Sequence, residues 1–149
     1  MINLASPNDL MQIKHVAHEV YASYVPRFSK VAPEPVIKDY SVPVSQRRLY
    51  AFRQPDIRGF IVCFANGDDY DIDNVVVLPK FQRTGIGQQL LTFAEKQAHE
   101  ARCHRLAVSA HIAMHENIAF YKQHGFVVTS QEADEAGIER VFLEMGLNR

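Results

Sequence analysis

The stretch that most constrains the fold is DIDNVVVLPKFQRTGIGQQLL, Asp71 to Leu91. It joins an apolar, β-branched run to a proline and a glycine-bearing loop, and the loop opens directly into an amphipathic helix. The first-turn N–H groups of a helix have no intrahelical acceptors, and the helix dipole adds positive potential at the same end. Glycines placed there let an anion approach the backbone, so the segment reads as a pyrophosphate cradle. The VVV centre of the strand reads as buried on both faces, and Pro79 ends it.

Around this segment the chain has room for one domain. Its 149 residues suffice for one substantial core, and 47% hydrophobic with 22% charged residues is a globular composition. Sixteen Lys and Arg against seventeen Asp and Glu leave a formal charge of -1. That balance gives no overall electrostatic reason to bind nucleic acid or an anionic membrane. The start MINLASPNDL lacks a basic region followed by a long apolar core, and no run has the length of a membrane span. The expectation is a soluble, cytoplasmic protein. Cys63 and Cys103 show no CxxC spacing and read as reduced thiols.

The pattern before the cradle begins with a helix. Ser6, Pro7 and Asp9 form a start signal, and apolar residues from Leu10 to Tyr24 recur at three and four, which predicts a helix over 7–24 stopped by Pro26. From Arg27 to Ser45 the prolines Pro33, Pro35 and Pro43 make an irregular arm, with at most a short turn at Ile37 to Tyr40. Arg27, Lys30, Glu34, Asp39 and Tyr40 in that arm are candidates to line a substrate entrance; a stiffened surface loop explains them equally well. Leu49–Phe52 and Gly59–Phe64 read as a hairpin, and Tyr70–Leu78 as the next strand after an Asn66–Gly67 turn.

After the cradle helix, Arg105–Ala110 reads as a strand. A helix starting near Glu116 or Asn117 runs to His124 and stops at Gly125. Phe126–Thr129 and Arg140–Met145 close the chain as a β-pair. The whole is an α/β mixture of the α+β kind, and its strand–helix–strand crossover makes two strands parallel neighbours. A ligand is expected outside the carboxyl ends of such strands, beside the glycine loop.

Two segments, VVVLPKFQRTGIGQQLL and HENIAFYKQHGF, resemble defining segments of the GNAT superfamily of N-acetyltransferases. The first matches a strand ending V-x-P followed by Q/R-x-x-G-x-G/A, here Gln82, Arg83, Thr84, Gly85, Ile86 and Gly87. The second matches N-x-x-x-x-Y-x-x-x-G-F, here Asn117, Tyr121, Gly125 and Phe126. They lie in the C-terminal half, in the family's order and separation. The resemblance implies one N-acetyltransferase domain over residues 1–149, with a central mixed, mostly antiparallel twisted sheet splayed at a parallel strand pair and flanked by helices.

The resemblance further implies acetyl-CoA as cosubstrate and a primary amine as acceptor, either a small cationic molecule or a protein amino group. Gln82 to Gly87 would hold the CoA pyrophosphate through backbone amides, with Arg83 adding charge. The strand backbone at Val75 and Val77 would pair with the pantetheine arm. Asn117 suits a ligand role and a helix N-cap equally. Tyr121 would protonate the departing thiolate, although a helical tyrosine without that motif is by default a core residue.

Asp71 and Asp73, on one strand face, are candidates for the base that deprotonates the amine or for attraction of a cation. They equally fit a solvated acidic strand end, and several family members carry a Glu near this position. His111 and His115 have i, i+4 spacing, as do His99 and Cys103, but nothing completes a zinc pattern, so no metal is expected. His111 could instead serve as an auxiliary base. The alternatives are a non-catalytic acyl-CoA sensor and a tRNA-directed acetyltransferase toxin, the latter disfavoured by the balanced charge. Exposed apolar strands near the C-terminus are able to pair in a homodimer.

Overall fold

A computed structural model describes residues 2–24 and 39–147. Among them the strands hydrogen-bond in the order β1-β2-β3-β4-β5-β7-β6 in one seven-stranded sheet. These are β1 Ile2–Leu4, β2 Leu49–Arg53, β3 Ile57–Asn66, β4 Asp69–Val77, β5 Arg105–His111, β6 Val127–Ala133 and β7 Glu139–Gly146. The helices are α1 Leu10–Tyr24, α2 Ser41–Ser45, α3 Ile86–Glu100 and α4 His115–His124. No described helix is long and apolar enough to cross a membrane. The chain divides into two compact units, Met1–Cys63 with Asn74–Leu90, and Phe64–Asp73 with Leu91–Arg149.

In the first unit, β1 and β3 flank β2 in antiparallel register. The buried face of α1, with Ile13, Val16, Ala17 and Val20, packs into one core with Leu49, Ala51, Phe60, Val62 and Val76. The start signal is realised as a 3-10 turn, Pro7–Asp9, before the α-helix proper. There the Ser6 N–H donates to Asp9 Oδ2 at 2.9 Å, and the Arg53 guanidinium from β2 grips the same carboxylate through both oxygens, at 2.9 and 2.6 Å.

Gly59 is required by packing. A Cβ on it would lie 2.7 Å from the Val76 carbonyl oxygen and 3.3 Å from the Val77 Cα, so β3 closes on β4 only where a side chain is missing.

In the second unit, β4 and β5 are parallel from Asp69↔Arg105 to Ile72↔Val108, as the crossover predicts. β5 then pairs antiparallel with β7 from Arg105↔Gly146 to His111↔Arg140, and β7 with the edge strand β6. Leu106, Val108 and Ala110 on β5, and Val141 and Leu143 on β7, are buried; Ala107, Ser109, His111, Arg140, Phe142 and Glu144 alternate with them and are half-buried. Leu91, Ala94 and Ala98 of α3 are buried too, as the helix periodicity predicts.

Several expectations are corrected. β1 was not anticipated, because three residues beside the first methionine carry too short a pattern. The short turn expected at Ile37 to Tyr40 begins outside the described residues; a further short helix runs over Ser41–Ser45, with Asp39 Oδ1 accepting the Ser41 N–H and hydroxyl. The carboxylate of Asp39 is held below its usual range first by the Ser41 hydroxyl. Tyr40 lines no surface. It is 1% exposed, stacks edge-on against Phe60 and accepts a hydrogen bond from Asn74 Nδ2 at 3.1 Å. Arg27, Lys30 and Glu34 lie outside the described residues.

Candidate functional site

The loop after β4 is built as the glycine pattern demands. Leu78 hands its N–H to the Arg58 carbonyl at 2.8 Å, and a 3-10 turn Pro79–Phe81 follows. Gln82 then reaches back, its Nε2 donating to the Val77 carbonyl at 3.1 Å, while the Thr84 hydroxyl bonds the Phe81 carbonyl. These two side chains brace the loop from within. The loop's shape comes from two residues of positive φ, Arg83 at 65° and Gly85 at 94°. A Cβ at Gly85 would meet no atom within 4 Å, so its conformation, and not crowding, calls for glycine there.

Helix α3 starts at Ile86, and the Gln89 N–H makes the 3.0 Å bond to Gly85 that closes its first turn. The amides of Ile86 and Gly87 precede that closure and have no carbonyl four residues back within the helix. Gln82 to Gly85 are exposed, Ile86 is buried and anchors the helix, and Gly87 is half-buried. Amides and dipole at an open glycine backbone suit a phosphate oxygen, and Arg83 supplies the cation beside them. Backbone and charge therefore fit a pyrophosphate-bearing ligand.

Along β4 the exposure alternates: Tyr70, Ile72 and Val76 are buried, while Asp71, Val75 and Val77 are half-buried and Asp73 is exposed. The VVV run is thus buried through Val76 alone. This corrects the expectation of burial on both faces and leaves Val75 and Val77 on the open side. Asp71 and Asp73 share one face of the strand, as expected, and Asp71 accepts a hydrogen bond from Asn66 Nδ2 at 2.9 Å.

On α4, Met114 occupies the N-cap position and Asn117 is the third helical residue. The N-cap role for Asn117 is therefore withdrawn, and its half-buried side chain stays available to a ligand. Tyr121, one turn on, is 4% exposed, with its ring edge-on to Phe126 at 5.7 Å and tilted against Phe120 at 5.6 Å. Gly125 ends the helix as predicted, and the Phe126 N–H returns to the Tyr121 carbonyl. His124 Nε2 meets Glu95 Oε1 at 2.5 Å, fastening the last turn of α4 to α3.

Among the described residues no three or more His, Cys, Asp or Glu groups gather in a way that could hold a metal. Cys103 is buried, with its sulfur 3.4 Å from the Asp69 carbonyl. His111 ends β5, and its Nδ1 accepts the Ala113 N–H at 3.0 Å. Burial first, then the charge of Arg140, push His111 below the usual imidazole range, with Asp134 acting weakly the other way.

The sequence reading missed Arg140. Its Nε donates to Ser109 Oγ at 3.1 Å and its Nη2 to the Ser109 carbonyl at 3.4 Å. The alternation of RVFLEM could have placed it on the polar face with Glu144.

The Acetyltransferase (GNAT) family model matches residues 15–126. No curated protein matches the chain. Among solved structures, the PaiA N-acetyltransferase of Thermoplasma acidophilum in complex with coenzyme A is similar with a TM-score of 0.81 at 18% identity, over 98% of both chains. Ard1 of Thermoplasma volcanium gives 0.78 at 18%, over 100% of this chain and 98% of that one. The ribosomal-protein-S18-alanine N-acetyltransferase of Escherichia coli gives 0.72 at 15%, over 100% and 94%. At these identities the solved structures speak for the fold alone. With three quarters of its length matched by the family model and the strand–loop–helix of that family in place, the chain belongs to the GNAT acetyltransferase family.

Proposed function

We propose that residues 1–149 act as one N-acetyltransferase domain that moves an acetyl group from acetyl-CoA to a primary amine. The observation that carries the reading is the braced loop from Gln82 to Gly87, open at its backbone and leading into the first turn of α3. Its amides and Arg83 hold the pyrophosphate. The half-exposed strand end at Val75 and Val77 offers main-chain groups to the pantetheine amides, and Asn117 contributes a polar contact from α4.

The amine nitrogen attacks the thioester carbon directly, the tetrahedral intermediate collapses, and the C–S bond breaks. A main-chain N–H near Val77 or Leu78 polarises the thioester oxygen. Asp71 or Asp73 takes the ammonium proton, directly or through water, and draws a cationic acceptor to the site. Tyr121 gives its phenolic proton to the leaving sulfur and takes one back from the acetylated nitrogen, so that the amide leaves neutral and the phenol is restored. A phenol with pKa ~10 keeps its proton at neutral pH and is a weaker acid than a thiol of pKa ~8.5. It first stabilises the departing thiolate as a hydrogen-bond donor, and the transfer completes as the phenolate recovers the nitrogen's proton.

The acceptor is a small cationic amine or a protein amino group in the cytoplasm. The Escherichia coli relative, named for the alanine of ribosomal protein S18, exemplifies the protein kind. Edge strand β6 is a candidate homodimer contact. Thiol release from acetyl-CoA, measured against polyamines, amino acids and peptides, tests the reading. Release that depends on one acceptor class supports it. Tight CoA binding with no transfer to any amine would favour an acyl-CoA sensor.

A further inference from the structure

Beside the glycine loop stand two cations that no carboxylate among the described residues holds in an ion pair, Arg58 and Lys80. Both meet one ring instead. The Arg58 guanidinium carbon lies 4.1 Å from the centroid of Phe81, and the Lys80 ammonium 5.2 Å from it. All three residues belong to the first unit.

The fold fixes this group at the root of the loop. β3 bulges at Arg58: Gly59 pairs with Phe52 and Ile57 with Arg53, so Arg58 is the extra residue, and the bulge sets the direction of its side chain. Its carbonyl accepts the Leu78 N–H where β4 gives way to the loop. Phe81 ends the 3-10 turn that follows. Its N–H returns to the Leu78 carbonyl at 2.9 Å, and its own carbonyl takes the Thr84 hydroxyl from the glycine loop. Arg58 and Phe81 are half-buried, and Lys80 is exposed.

The ring's quadrupole attracts each cation but leaves its charge uncancelled. Carboxylates of the same unit are employed elsewhere or stand free of this group. Asp9 is gripped by Arg53, Asp39 accepts the Ser41 hydroxyl, and Asp56 in the β2–β3 turn is exposed and forms no ion pair with a described residue. Two positive charges and the N–H edge of a guanidinium at one place suit a phosphate.

Coenzyme A carries phosphate in two places, a pyrophosphate and a phosphate on the 3′ oxygen of its ribose. The loop amides and Arg83 serve the first. Resting on the acetyltransferase reading, we propose that Arg58 and Lys80 bind the second, so that the protein selects CoA over its 3′-dephospho form. Phe81 is a positioning residue that acts through the two cations.

Calorimetry of CoA against 3′-dephospho-CoA isolates the 3′-phosphate, since both ligands keep the pyrophosphate. Wild type should bind CoA about tenfold or more tightly, as charge-assisted contacts predict. In Arg58→Gln and in Lys80→Gln that ratio should fall towards one; Lys80 is exposed, so its variant decides if Arg58→Gln misfolds. Phe81→Leu should lower the ratio and Phe81→Tyr, which keeps a ring, should retain it. Lys96→Gln removes an equal charge from an exposed position on α3 and should leave the ratio as in wild type. Equal affinities in wild type, a ratio that neither cation variant moves, or one that Lys96→Gln lowers as much, would overturn the proposal.

A second readout needs no thioester. Adenosine 3′,5′-bisphosphate should shift the NMR signal of the Arg58 side-chain Nε–H, and adenosine 5′-monophosphate should not; an equal response to both nucleotides would overturn the proposal. Failure of both CoA forms to bind would instead count against the acetyltransferase reading, leaving the nucleotide titration to decide this one.

Discussion

Tyr121 and Asp9 show how differently a single side chain can be tied into this molecule. The ring of Tyr121 is packed between Phe120 and Phe126, on a helix fastened by the pair between His124 and Glu95. Such packing fixes the direction of its hydroxyl. Tyr121→Phe keeps the packing and removes only the proton, so kcat should drop about 100-fold with the acetyl-CoA KM little changed. Steady-state kinetics across pH check this, and an unchanged kcat at every pH would remove the residue from the mechanism.

Asp9 has a structural task. The Arg53 hydrogen bonds, outweighing the cost of burial, bring its carboxyl from the usual 3.8 to about 2. A depressed carboxyl stabilises the fold above its unfolded pKa and loses that contribution as pH falls through the folded value. The shift corresponds to roughly 2 kcal/mol, complete above pH ~4 and vanishing towards pH ~2. Asp9→Asn should therefore lower the unfolding free energy by about that amount at pH 7 and flatten its fall between pH 4 and 2, as urea titrations would show.

At the scale of elements, what could be read from the chain depended on whether the signal was local. The glycine loop, helix α3 and the Gly125 stop are written in consecutive residues, and they appear where the pattern puts them. Tyr40 is different: a proline-rich neighbourhood suggests exposure, while Phe60 and Asn74, far along the chain, bury it. Met114 in place of Asn117 at the start of α4 likewise follows from where the turn after β5 ends, which no spacing reveals.

Val75 and Val77 look like core in a β-branched run. Only the pairing of the strand decides that Val76 alone is covered. Gly59 belongs with these unread features, since its need lies in the approach of β3 to the Val76 carbonyl. Gly59→Ala should destabilise the protein by about 1–3 kcal/mol, because the contacted atom is backbone and cannot swing aside. Denaturant unfolding would measure it, and no loss would mean the two strands separate at little cost.

For the whole molecule, the balanced charge of -1 leaves association to local surfaces. The terminal strand β6 exposes Val127 at 63% and Val128 at 47% on an open sheet edge, though a bulge between Val128 and Ser130 interrupts its regular register. If β6 pairs between two copies, Val127→Lys should shift the protein from dimer to monomer in sedimentation velocity, whereas a wild-type monomer at high concentration would dismiss that contact.

The central claim is that the Gln82–Gly87 loop holds the phosphates of acetyl-CoA. Calorimetry of S-acetylpantetheine against S-acetyl-4′-phosphopantetheine isolates it, because the two ligands differ by one phosphate. One charge-assisted contact of about 1.5–3 kcal/mol predicts roughly tenfold or greater tightening with the phosphate. Equal affinity for the two would contradict the account.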